Sequence, residues 1–131
     1  MKQLFLITVF TALLVVQCAT EEEEIYFTHL YGYAREETDS TTGISGLILK
    51  IRDLNPNDLD YWRTREVTTQ TQDALVGFFE IDSVVYGTSQ QQGTGYVAIF
   101  LDSLQNPQWP SQLWYPTIFG PADTIILYVL E

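Results

Sequence analysis

Gly46-Leu47-Ile48-Leu49-Lys50-Ile51-Arg52-Asp53-Leu54 is the stretch that decides the fold: Leu47, Leu49 and Ile51 fall on one side, and Ile48, Lys50 and Arg52 on the other. An extended backbone sends successive side chains to opposite faces, so this period of two marks a strand with one face buried. The signal recurs on both sides of it. Residues 25–33 (IYFTHLYGY) are rich in aromatic and β-branched side chains, and residues 65–72 put Val67, Thr69 and Thr71 on one side, as an exposed or edge strand does. Residues 76–81, 96–101 and 124–130 are short apolar runs of the kind that lie centrally in a sandwich. Turn signals separate these runs at Thr42-Gly43, Asn55-Pro56-Asn57-Asp58, Gly87, residues 93–95, Asn106-Pro107 and Gly120-Pro121. Residues 58–65 have room for one helical turn. About seven closely spaced strands without an amphipathic helix predict an all-β sandwich. The expected inward positions are Leu47, Leu49, Ile51, Phe79, Ile81, Phe100, Leu127 and Val129, with Phe78 competing with Phe79 for the core.

The N-terminus carries a separate message. Lys2 precedes an apolar run, LFLITVFTALLVV, over residues 4–16, which predicts an export signal over residues 1–17. Thirteen residues of helix rise only about 20 Å, short of the roughly 30 Å hydrocarbon core, so a permanent span is not expected. Leu14-Val15-Val16-Gln17-Cys18 resembles a bacterial lipobox, with Gln17 where that motif carries Gly, Ala or Ser. The resemblance implies a lipid on Cys18 and anchorage in the cell envelope; the alternative is a leader cut just after Cys18 or Ala19 and a secreted protein. Either outcome leaves no cysteine for a disulfide within the domain, Cys18 being the single one in the chain. Four consecutive glutamates make residues 18–24 a hydrated acidic tether, leaving residues 25–131 as the folded domain.

Two segments carry a further likeness. Gly43-Ile44-Ser45-Gly46-Leu47-Ile48 looks like the opening strand of carboxypeptidase regulatory-like domains, and Thr71-Gln72-Asp73 followed by Gly77-Phe78-Phe79-Glu80-Ile81-Asp82-Ser83-Val84 is similar to that family's central hairpin. One residue more separates Asp73 from Gly77 than the family pattern has, and residues 55–61 replace its Pro-Gly-Ala segment. The resemblance implies a transthyretin-like sandwich serving as a non-catalytic accessory module; a general immunoglobulin-like sandwich is the alternative.

Charge narrows the partners. From Cys18 onward 5 bases face 17 acids, a net −12, which repels phosphate backbones and makes nucleic acid an unexpected partner. No nucleophile elbow, zinc helix or phosphate loop is present in the sequence, and its one histidine, His29, lies inside an aromatic strand, so no catalytic residue and no cofactor are expected. Residues 53–60 (DLNPNDLD) alternate oxygen ligands as a calcium loop begins, but Asp58 and Thr64 stand where such a loop needs Gly and Glu, so a turn between strands is expected and no metal. Residues 106–121 (NPQWPSQLWYPTIFGP) hold Trp109, Trp114, Tyr115 and Phe119 among four prolines, without a charge. Rings held by a stiff backbone suit a platform for a glycan or an envelope protein; the same rings folded inward would plug the sandwich. Two roles follow, a binding or adhesion module of the cell envelope and a structural envelope lipoprotein.

Overall fold

The computed structural model describes residues 22–90 and 95–131. The export signal, Cys18 and most of the tether lie outside the described residues, as does the centre of the Gln-rich loop at 91–94. Eight strands run in chain order: β1 Ile25–Glu36, β2 Ile48–Asn55, β3 Asp58–Thr68, β4 Gln70–Gln72, β5 Leu75–Thr88, β6 Ala98–Leu101, β7 Gln112–Trp114 and β8 Ala122–Val129. They form two four-stranded sheets, β4-β5-β1-β8 and β3-β2-β6-β7. All pairings are antiparallel except that of β1 with β8, which is parallel.

The core lies between the sheets. Leu49 and Ile51 of β2 meet Leu30 and Ala34 of β1, Phe79 and Val84 of β5, Ile99 and Leu101 of β6, and Leu127 and Val129 of β8. The inward assignments of Leu47, Leu49, Ile51, Phe79, Leu127 and Val129 agree with the alternation, and Ile81 is half-buried against the same cluster. Phe100 is a correction: it faces outward, because Ile99 and Leu101 take the inward phase of β6. Phe78 is also buried, but beneath Tyr31 and Tyr33, whose ring centroids lie 6.4 Å and 5.7 Å away. Phe79 fills the space over Gly32, its register partner on β1, where a Cβ would collide with the ring.

Three other expectations change. Residues 58–65 contain no helical turn; they open β3, an edge strand. β8 is an edge strand as well, with Ile126 and Tyr128 exposed, whereas its apolar run suggested a central place. The Pro- and Trp-rich segment includes β7, a strand the sequence does not announce. The β2–β3 hairpin turns at Asn55-Pro56-Asn57-Asp58 as expected, with Asn55 Oδ1 accepting from the Asn57 amide at 2.9 Å. The β4–β5 hairpin turns on Asp73 and Ala74, both at positive φ, and Gly77 follows at φ +83°, where its missing Cβ leaves room for the Ala34 carbonyl.

Polar groups join the sheets where strands do not. The Asp53 carboxylate, fully buried, accepts from Arg63 Nε and Nη2 at 2.8 Å each and from the Val85 amide at 2.8 Å. Arg65 Nη2 stands 3.4 Å from the same carboxylate. Both arginines reach across to β5, where Asp82 and Ser83 together oppose His29 in a bulge, and Ser83 takes φ 54°. Arg63 donates to the Ser83 carbonyl at 2.5 Å, and Arg65 to the Asp82 carbonyl at 2.8 Å. The hydrogen bonds with Asp53 raise the pKa of Arg63, while burial lowers that of Arg65 against the pull of Asp53. Both stay charged near neutrality. At the opposite edge Gln112 pairs through its amide with the Leu130 backbone at 3.0 Å and 2.7 Å. Within the β3-β2-β6-β7 sheet, buried Asn106, on the β6–β7 connection, pairs with the Ile48 backbone in the same two-way manner, its Oδ1 accepting at 2.8 Å and its Nδ2 donating at 2.9 Å.

Candidate functional site

The outer face of the β3-β2-β6-β7 sheet is where exposed rings and a basic group meet. Alternation on β2 that buries Leu49 and Ile51 turns Lys50 and Arg52 outward. The register places Lys50 between Glu66 and Phe100, and Phe100 opposite Leu113. One step along, Arg52 lies between Thr64 and Ala98, with Trp62 diagonal to it on β3. The Arg52 guanidinium sits over the Trp62 ring, 5.3 Å from its centroid, and the Tyr96 ring lies 6.4 Å beyond Trp62. Arg52, Trp62, Gly95, Ala98 and Tyr115 line a cleft of about 330 Å³. Trp62 is 44% exposed and Tyr115 60%, so both rings have surface to offer.

The four rings singled out in the sequence separate into two pairs. Trp109 and Trp114 are half-buried against the core, and Trp114 Nε1 donates to the Tyr128 carbonyl at 3.3 Å, joining β7 to β8. They plug the sandwich. Tyr115 and Phe119 point out, Phe119 being 73% exposed, but only Tyr115 lines the cleft. Sequence reasoning missed Trp62 and Arg52. Both were within reach, since Arg52 already stood on the outward side of β2, and an extended reading of residues 58–65 would have set Trp62 on the same face.

Comparison with family models, curated proteins and solved structures found no match. Function is therefore read from the cleft's own chemistry. Its rings present flat apolar faces, and Arg52 presents planar donors beside them. Among the described residues, no carboxylate lies within ion-pair distance of Arg52, whereas Lys50 is 3.6 Å from Asp102 and Arg63 and Arg65 share Asp53. Trp62 also walls a second cleft of about 340 Å³, lined in part by Glu23, Asp60, Thr88 and Tyr96, so acidic groups line one of its clefts and the basic group the other.

Other polar clusters are spent on structure. His29, half-buried on the outer face of β1, has Nε2 3.0 Å from Glu80 and Nδ1 3.4 Å from Asp82, and its ring lies 4.6 Å from that of Tyr31. Asp53, the first residue of the calcium-like run, is closed off by Arg63. Among the described residues no group of three or more His, Cys, Asp or Glu side chains is arranged to hold a metal ion.

Proposed function

We propose that this chain is a non-catalytic saccharide-binding module of the cell envelope, with its cleft on the outer face of the β3-β2-β6-β7 sheet. The observation that carries this reading is the pairing of two exposed rings, Trp62 and Tyr115, across a cleft that also holds Arg52. Rings of this kind stack on the apolar faces of sugars while leaving hydroxyl groups at the rim. Size favours a sugar over a protein. About 330 Å³ lined by five residues suits one or two sugar rings, whereas a stable protein interface engages about 20–30 residues on each side. The likeness of the β4–β5 hairpin to carboxypeptidase regulatory-like domains is in keeping with an accessory role.

The test is affinity electrophoresis through gels containing neutral β-glucan, xylan or polygalacturonate. Trp62→Ala is expected to weaken retention by about 30-fold, as loss of an interface aromatic worth roughly 2 kcal/mol would. Its denaturation midpoint should fall less than that of Phe79→Ala, because the Trp62 ring lies on the outer face of the sheet and outside the buried core. Unchanged retention of both Trp62→Ala and Tyr115→Ala, or no retention of the parent on any polymer, would contradict the proposal.

A lipid on Cys18 completes the picture, holding the module at a membrane through the acidic tether. The structure describes the tether's end: the Glu24 amide donates to Ser89 Oγ at 2.9 Å, the Ser89 amide donates to the Glu24 carbonyl at 2.8 Å, and Thr88 donates to Glu23. The chain thus enters β1 already fastened to the end of β5. Mass spectrometry of the protein from its native membrane is expected to show a diacyl or triacyl adduct that Cys18→Ser abolishes. An unmodified N-terminus at Ala19 or Thr20 would show a cleaved, secreted form instead.

A further inference from the structure

Arg52 is an exposed cation in a domain of strong negative charge, and its guanidinium is committed to no carboxylate among the described residues. Arg35 also lacks a carboxylate partner among them, but it sits over Tyr33 and donates to the Ser40 carbonyl at 3.5 Å, away from any exposed ring of the cleft. The Arg52 guanidinium lies over Trp62, 5.3 Å from its ring centroid, and Arg52 lines the cleft, which brings its N–H donors within reach of a ligand there. A planar fork beside two exposed rings is suited to a ligand carrying a carboxylate on a ring. Arg pairs with carboxylate through two parallel hydrogen bonds, and a pair against aromatic surface is less hydrated than one in open water.

We infer that the cleft takes a uronic-acid residue of an acidic glycan, with Arg52 holding the carboxylate and Trp62 and Tyr115 the sugar ring. This inference rests on the saccharide-binding reading above and adds the ligand's charge to it. Remote acidic groups do not forbid it, since the field of an exposed charge fades over about 8 Å at physiological ionic strength. Glu23 and Asp60 line the other cleft that Trp62 walls, whereas the described residues lining this one include Arg52 and no carboxylate, which favours a ligand's carboxylate here.

The experiment compares polygalacturonate and alginate, each beside its methyl ester, which keeps the sugar backbone and removes the charge. The parent protein is expected to bind at least one acid form about tenfold more tightly than its ester, the contribution of one charge-assisted pair. Arg52→Gln should abolish that preference, so that acid and ester bind within about twofold of each other. Arg52→Lys, which keeps the charge and loses the fork, should fall between the two. Equal binding of acid and ester by the parent, or a preference that survives Arg52→Gln, would overturn the inference. Failure to bind either acid form would overturn it too, and retention on neutral β-glucan in the same run would show that the saccharide-binding reading survives.

Discussion

Replacing Arg63 by Met is expected to lower stability by about 3–5 kcal/mol, because it leaves the Asp53 carboxylate buried without its main partner. Asp53 has no exposed surface, and Arg63 supplies two of its charge-assisted hydrogen bonds. Arg65, with Nη2 at 3.4 Å, is too distant to replace both, and the Val85 amide carries no charge. The same change removes a donor from the Ser83 carbonyl in the β5 bulge, so the two sheets lose a link as well as a charge pair. The double variant Asp53→Leu, Arg63→Met should recover at least about 1 kcal/mol of the loss, since removing both charges is far less costly than stranding one. Urea denaturation of the three proteins measures this. A single variant within about 0.5 kcal/mol of the parent would mean that the pair does not hold the sheets together.

Phe79→Ala should cost about 3–5 kcal/mol, the usual range for truncating a fully buried aromatic ring. The more informative result concerns its partner. Gly32 opposes Phe79, and a Cβ there would strike the ring, so Gly32→Ala should cost about 1–3 kcal/mol by overpacking. In a Phe79→Leu background the Gly32→Ala penalty should shrink by about 1 kcal/mol, because the smaller side chain gives way. Penalties that add to within about 0.5 kcal/mol would show that the ring does not rest on the glycine.

What was legible in the sequence follows from which faces are buried. β2 has the core on one side and solvent on the other, so Leu49 and Ile51, with Leu47 just before the strand, could be placed by alternation alone. β6 is apolar on both sides, with Ile99 and Leu101 in the core and Phe100 outside under Lys50, 5.6 Å from its ring centroid. A run without polar positions has no phase to read, and Phe100 was assigned to the wrong face. β3 shows the reverse difficulty. Its inward positions include Arg63 and Arg65, and inward charges on an edge strand discourage pairing with other chains while erasing the apolar alternation that would announce a strand. β7 is three residues long and is defined by its long-range pairing with β6, which no local pattern encodes.

The candidate site divides along the same line. Tyr115 was picked out by composition, as one ring in a charge-free, proline-rich run. Trp109 and Trp114 belong to that run yet serve the sandwich, Trp114 through its bond to the Tyr128 carbonyl. Trp62 and Arg52 join Tyr115 only because β3, β2 and β6 lie side by side in register ahead of β7. The cleft is a product of strand order.

The three tryptophans give the most direct measurement, because Trp62 lines the cleft while Trp109 and Trp114 pack against the core. In a two-dimensional proton–nitrogen spectrum each indole N–H is a separate reporter. During titration with galacturonate oligomers, and in parallel with neutral β-glucan oligomers, the Trp62 indole and the Ala98 and Tyr115 amides should shift progressively. The Trp109 and Trp114 indoles should stay in place, as should the amides of Tyr33, Ile126 and Tyr128 on the other sheet. Shifts confined to Trp109, Trp114 or the other sheet, or a spectrum unmoved by either oligomer, would contradict the assignment of this cleft as the binding site.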